Sequence, residues 1–181
     1  EQLIREQVES KGHTKEEAIM ILNHKKALDY IRSHAKDFNK LSIKKLEEIH
    51  SLLIKGLGVS KNVRKTLVGI TGTRFRPLDN EYQIREALEK TCSLVNRQKN
   101  PFEKACAAMV LIAYIQPFVD GNKRTSRLIG NALLLAHDCC PLSYRSIDAI
   151  AYKKAILLFY EQNNIFQFKK LFLEQCDFAV K

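Results

Sequence analysis

Apolar positions recur at helical spacing along most of the chain. In "EEAIMILNHKKALDYIRSH", residues 16–34, they fall three and four apart, and Thr14 with Glu17 forms a capping box that predicts the start of a helix. Ser42 opens a second run, "IKKLEEIHSLLIKG", in which Leu46, Ile49, His50 and Leu53 share one face and Gly56 supplies the stop. His50, lying on that apolar face, reads as a core histidine rather than a ligand. The pattern breaks over "VRKTLVGITGTRFRPLDN", which is rich in β-branched residues and glycine and carries Pro77 near its end. That composition predicts a small β-hairpin over about residues 63–77.

Helical spacing returns at Glu81. Asn100-Pro101-Phe102-Glu103 then supplies an N-cap, a proline for the first helical position and an acid in the first turn. The helix that follows is apolar on every side through Ile115, as expected of the buried centre of a bundle. Another helix begins at about Asn122 with Leu128, Ala132 and Leu135 directed inward, and a final pair covers "SIDAIAYKKAILLFYEQ" and "IFQFKKLFLEQC". With no repeat, linker or low-complexity segment, residues 1–181 are expected to form one all-α domain with a hairpin.

Composition sharpens this only slightly. Seven Gly and four Pro provide too little turn chemistry for a many-stranded protein. The net charge of +10 favours polyanionic partners, although no recognition-helix, RNP or OB pattern accompanies the basic residues, so nucleic acid is not expected. Five cysteines without a C-x-x-C pair suggest reduced, mostly buried thiols. The longest apolar run, "ACAAMVLIAYI", is too short to span a bilayer. The chain opens at Glu1 without a Met, so it reads as a fragment whose upstream targeting is not visible.

The stretch with chemistry in it is "IQPFVDGNKRTSRL", residues 115–128. A buried helix ends, a short loop follows, and a new helix starts with unpaired N–H groups and a positive dipole end, where an anion is favoured. Gly121 allows close backbone approach, while Lys123, Arg124 and Arg127 add cations. Asp120 would repel a phosphate but suits Mg²⁺, which takes oxygen ligands and shares them with phosphates. The alternative is that Asp120 or Asn122 caps the helix and the basic residues are merely solvated.

This loop resembles the signature of the Fic family, H-P-F-x-[D/E]-G-N-[G/K]-R-x-x-R, at every position except the first. The upstream "NHKKALDYI" helix, the "RKTLVGITGTRFRP" segment, the "NP" before the central helix and the terminal helices follow in the family's order, over roughly residues 15–175. The resemblance implies a Fic-type helical bundle that moves AMP from Mg-ATP to a Ser, Thr or Tyr hydroxyl of a target protein. By position it implies Asp120 as the Mg²⁺ ligand, and Gly121, Asn122 and the following N–H groups as an anion hole. Arg127 would grip the terminal phosphate, with Lys123 and Arg124 beside the nucleotide and Arg124 supporting the loop. Tyr160 lies near a position that touches adenine in relatives, or simply packs its helix. Val68, Gly69, Ile70, Thr71 and Gly72 would form the target-binding flap, which offers an edge for strand addition.

Gln116 departs from the family histidine, which accepts the proton of the attacking hydroxyl. An amide has no usable basicity, and losing a general base costs about 10²–10⁴ in rate, so this form is expected to be impaired. Lys123 stands where AMP-transferring members often carry Gly, which keeps a phosphotransferase reading open beside that of a catalytically dead nucleotide- or protein-binding module. No [S/T]-x-x-x-E-[G/N] string is found; "SLLIKG" has Lys55 at the acidic position. That string marks an inhibitory helix in many family members, so the resemblance implies such a helix upstream of residue 1, together with capacity for self-modification. The resemblance also implies a bacterial cytoplasmic protein, or a secreted effector acting in a host cytosol.

Overall fold

Four of the seven α-helices among the described residues begin where a side chain takes up an otherwise unpaired backbone N–H. Ser42 Oγ accepts from Lys45 N, Asn80 Oδ1 from Tyr82 N, Asn100 Oδ1 from Phe102 N and Asp148 Oδ1 from Ala151 N. The structure, a computed structural model, describes residues 15–181. The capping role read for Thr14 lies outside the described residues. The helices are α1 (Lys15–Ser33), α2 (Ile43–Leu53), α3 (Glu81–Arg97), α4 (Pro101–Ile115), α5 (Asn122–Ala136), α6 (Ala149–Gln162) and α7 (Phe166–Ala179), with a short 3-10 turn at Ala35–Asn39. Among the described residues none is long and apolar enough to cross a membrane.

The central helix is α4, whose apolar residues leave no solvent face to present. It packs on α3, α5, α6 and α7. On α5, Leu128 and Ala132 are buried, whereas Leu135 is only half-buried. Facing it, α2 contributes Leu46, Ile49, His50 and Leu53, all fully buried. Burial of a Leu or Ile side chain stabilises by roughly 1.5–3 kcal/mol, so this helix is fixed by its apolar stripe. All five cysteines are free, but only Cys92 and Cys106 are buried.

His50 carries more than packing. Its ring stacks on Phe118 with centroids 3.7 Å apart and planes 3° from parallel. Its Nε2 lies 3.0 Å from Asp120 O, and Nδ1 lies 3.3 Å from Lys61 O. A neutral imidazole has one N–H, so only one of these carbonyls receives a proton. Protonation would serve both, but burial outweighs them and lowers the pKa below its usual range.

The fold also overturns the expected hairpin. Residues 63–77 form no strand pair; they run out irregularly from Val63 with a bend at Thr66, turn at Thr71 and Gly72, and return. Arg64 explains why. Its buried guanidinium donates from Nη1 to Thr66 O at 2.8 Å and from Nη2 to Leu78 O at 2.5 Å, joining the two arms at their base. A side chain thus does the work of a ladder. The same residue donates from Nε to Gln116 O at 2.6 Å and from its backbone N–H to Pro117 O at 2.9 Å.

Two stability measurements follow. Arg64→Met strips several buried carbonyls of their donor, and should lower the urea-unfolding free energy by roughly 3 kcal/mol while leaving residues 65–78 open to proteolysis. For His50 the folded pKa lies below the ordinary value of 6.5, so the unfolded chain binds the proton first as pH falls. Its contribution to stability is present above about pH 6.5 and is lost below it. The fall in unfolding free energy between about pH 7.5 and 5.5 should therefore be shallower in His50→Phe than in the wild type. An identical slope would remove His50 from the titration.

Candidate functional site

The central helix ends at Gln116, which takes a left-handed φ of 51° and donates its N–H to Ile112 O at 3.1 Å. Pro117 then prevents continuation. Helix α5 begins after Gly121, whose φ of 81° is costly for any other residue and brings the backbone against the His50 ring. Neither Asp120 nor Asn122 caps α5, which has no side-chain cap at all. Asn122 instead folds back: its Oδ1 accepts from Phe118 N and its Nδ2 donates to Phe118 O, both at 2.8 Å. Asp120 turns outward and pairs with Arg124 Nη2 at 3.0 Å.

Gln116 is buried and fully engaged. Its Nε2 donates to Ala113 O at 2.5 Å and lies 3.4 Å from the Tyr160 hydroxyl, while its Oε1 accepts from Asn122 Nδ2 at 3.1 Å. Tyr160 is itself buried and donates to Ala113 O at 2.7 Å. Burial pushes its phenol pKa up, opposed by the Gln116 hydrogen bond. Its ring packs against Phe75.

A cavity of about 570 Å³ brings together Gln116, Asp120, Gly121, Asn122, Lys123, Arg124 and Arg127 under a roof of Val68, Gly69, Ile70 and Thr71. Gly72 and Tyr160 do not line it. They border a neighbouring cleft of about 920 Å³ with Thr73, Arg74, Phe75 and Glu161. The N–H groups that open α5 lack a cap, and Arg124 Nη1 is buried without an acceptor. Arg127 forms no ion pair among the described residues; its guanidinium sits over the Tyr144 and Tyr152 rings at 5.6 and 5.9 Å. The arrangement presents cations and orphan donors to one cavity, with a single carboxylate. Among the described residues no group of three or more metal-ligating side chains exists, so a cation at Asp120 would complete its shell with phosphate oxygens and water.

Sequence reasoning missed three contributors. Lys153 of α6 lines the same cavity, and its Nζ lies 3.6 Å from where a Cβ on Gly72 would sit. With Arg127 it adds to burial in lowering the Lys123 pKa. Tyr152 and Tyr144 hold Arg127, the latter from a φ of 56°, a conformation uncommon for an aromatic residue. Nothing in the local sequence marks these residues, because α6 meets the loop only through tertiary packing.

Comparison with known proteins places this geometry in a family. The Fic/DOC family profile matches residues 40–134. Protein adenylyltransferase fic-1 of Caenorhabditis elegans is 27% identical over 105 residues, covering 56% of this chain and 20% of that protein. The probable protein adenylyltransferase aq_aa38 of Aquifex aeolicus is 28% identical over 100 residues, covering 54% of this chain and 31% of the relative. The chain therefore spans under a third of either relative's length. Among solved structures, Fic-1 from C. elegans superposes with a TM-score of 0.78 at 19% identity, over 99% of this chain and 54% of that one. BepC from Bartonella tribocorum, with bound AMPPNP, gives 0.63 at 17% identity, over 95% and 97%. These structures share its fold, and the profile match spans more than half of its residues: the chain belongs to the Fic/DOC family.

Proposed function

We propose that residues 1–181 form one nucleotide-binding Fic domain of the AMP-transferring type, in which Gln116 leaves transfer impaired. The observation that carries this reading is the set of orphan donors at the cavity: α5 starts with no side-chain cap, and Arg124, which lines the cavity, has a buried Nη1 without a partner. Buried donors left unpaired cost about 1–3 kcal/mol each, which an anion would relieve. Phosphate oxygens fit both, with Gly121 allowing close approach and Lys123 and Arg127 adding charge. The adenylyltransferase names of two relatives and the AMPPNP bound to BepC support a nucleotide as the source of those phosphates.

In transfer, a target hydroxyl oxygen bonds to the α-phosphorus of ATP, the bond to pyrophosphate breaks and the hydroxyl loses its proton. Arg127 would hold the terminal phosphate. Asp120 would exchange Arg124 for Mg²⁺, leaving the arginine to the phosphates. Bound there, the ion would neutralise charge on the phosphate oxygens. The proton is where this chain falls short. Gln116 Oε1 is occupied by Asn122 and is too weakly basic to accept it. Nucleotide holding therefore depends on groups that are present, and fast chemistry on one that is not.

Two experiments separate these halves. Saturating Mg-ATP should raise the melting temperature, by about 2.7 kcal/mol of added stability at a hundredfold excess over Kd. Arg127→Ala should weaken ATP binding roughly 10- to 100-fold by removing a charge-assisted phosphate contact. An unchanged shift in that variant would leave the loop without a terminal-phosphate role.

Gln116→His supplies a group that titrates near neutrality and should restore transfer. Both forms are incubated in a lysate of the source cell with ATP labelled at the α- or the γ-phosphate. Label from the α-position in the His form alone supports AMP transfer, whereas γ-label reports phosphate transfer and favours the Lys123 reading. No label in a variant that still shows the ATP-induced shift assigns the chain to a binding module. Equal labelling by both forms would overturn the general-base account.

A further inference from the structure

Residues 60–78 contain five basic residues, Lys61, Arg64, Lys65, Arg74 and Arg76, and no acid. Arg64 is buried among carbonyls, and the other four are exposed. Because one guanidinium binds both Thr66 O and Leu78 O, the two arms of the loop leave the protein side by side. Lys65 stands at the foot of the outgoing arm, with Arg74 and Arg76 on the returning one. Nearby carboxylates are already engaged: Glu81 with Lys65 and Arg85, Glu161 with the Thr73 hydroxyl, Asp120 with Arg124. Asp79 faces the buried Arg64 and opposes its loss of charge. Among the described residues Lys61, Arg74 and Arg76 have no carboxylate within ion-pair distance.

Between these cations the main chain forms no strand and is short of partners. Apart from Thr66 O, which Arg64 takes, residues 66–70 make no backbone hydrogen bond among the described residues, and Leu67 is 76% exposed. Backbone left unpaired is open to a peptide's main chain, and flanking cations select which peptide. A nucleic acid would also answer the charge, but single strands bind by stacking on exposed aromatic rings. The segment's one aromatic residue, Phe75, faces inward, with its ring 4.5 Å from that of Tyr114 and 5.3 Å from that of Tyr160. The chemistry favours protein.

We infer that the exposed cations of this loop select acidic protein segments: carboxylates on either side of the target hydroxyl meet Arg74 and Arg76, which no carboxylate of the described residues answers. The inference rests on the transfer-site reading for its meaning as a substrate class: a hydroxyl residue with acids on either side. Lys153, which lines the cavity, extends the same preference toward it.

The test uses fluorescein-labelled peptides of about seven residues, each with a central Thr flanked by Glu or by Gln, and an oligo-dT of equal net charge. Fluorescence anisotropy should show the Glu peptide binding roughly tenfold tighter than the Gln peptide at about 50 mM salt, with most of that advantage gone at about 0.5 M. R74E/R76E should erase the advantage, and R74Q/R76Q should reduce it, while both keep the ATP-induced rise in melting temperature. Equal binding of the two peptides overturns the inference, as does an advantage that survives both double variants. Oligo-dT binding tighter than the Glu peptide through the same arginines assigns the surface to nucleic acid and overturns it too. If the wild type shows no ATP-induced rise, the transfer-site reading falls; an Arg74- and Arg76-dependent preference in the same sample would still support the docking surface.

Discussion

A helix that ends inside a protein must find donors for its last carbonyls, and the end of α4 is such a place. Water cannot serve groups this deeply buried, so the protein does. Gln116 N–H answers Ile112 O, while the Gln116 amide and the Tyr160 hydroxyl answer Ala113 O. Arg64 answers Gln116 O and reaches toward Ile115 O at 3.5 Å. Each donor comes from a different part of the chain: the loop, α6 and the flap. Satisfying one buried helix end therefore assembles the walls of the cavity, and the candidate site is a by-product of capping.

The start of α5 obeys the opposite rule. Its donors are left unanswered by the side chains nearest them: Asn122 staples the Phe118 turn, and Asp120 holds Arg124. The cavity is consequently rich in positive charge, with burial and mutual repulsion lowering the pKa of Lys123. An electrostatic arrangement this one-sided costs stability unless an anion relieves it, which is the physical sense in which the empty-handed donors point to a ligand.

How much of this was legible in the sequence varies with the range of the interaction responsible. Ser42, Asn80, Asn100 and Asp148 act on N–H groups two or three residues away, and such caps can be read from the chain. The stripe of α2 and the all-round apolarity of α4 were legible for the same reason, since periodicity states which faces are covered. The loop from 116 to 127 was readable because its residues are contiguous. The flap was read as a hairpin from β-branched residues and glycine, and a single distant-acting side chain, Arg64, replaced the ladder that those residues suggested. Lys153, Tyr152 and Tyr144 were invisible because their positions around Arg127 exist only after α6 and the segment before it have docked.

Arg64 grips the flap entirely through main-chain oxygens. Every residue type has that oxygen, so the grip does not depend on which side chains the flap carries. Substitution at the exposed Leu67, Arg74 or Arg76 would change what the loop displays without loosening that grip. Placement and display are thereby uncoupled: lineages of this domain could vary what the loop presents by drift along a few exposed positions, while the mouth of the cavity stays where it is.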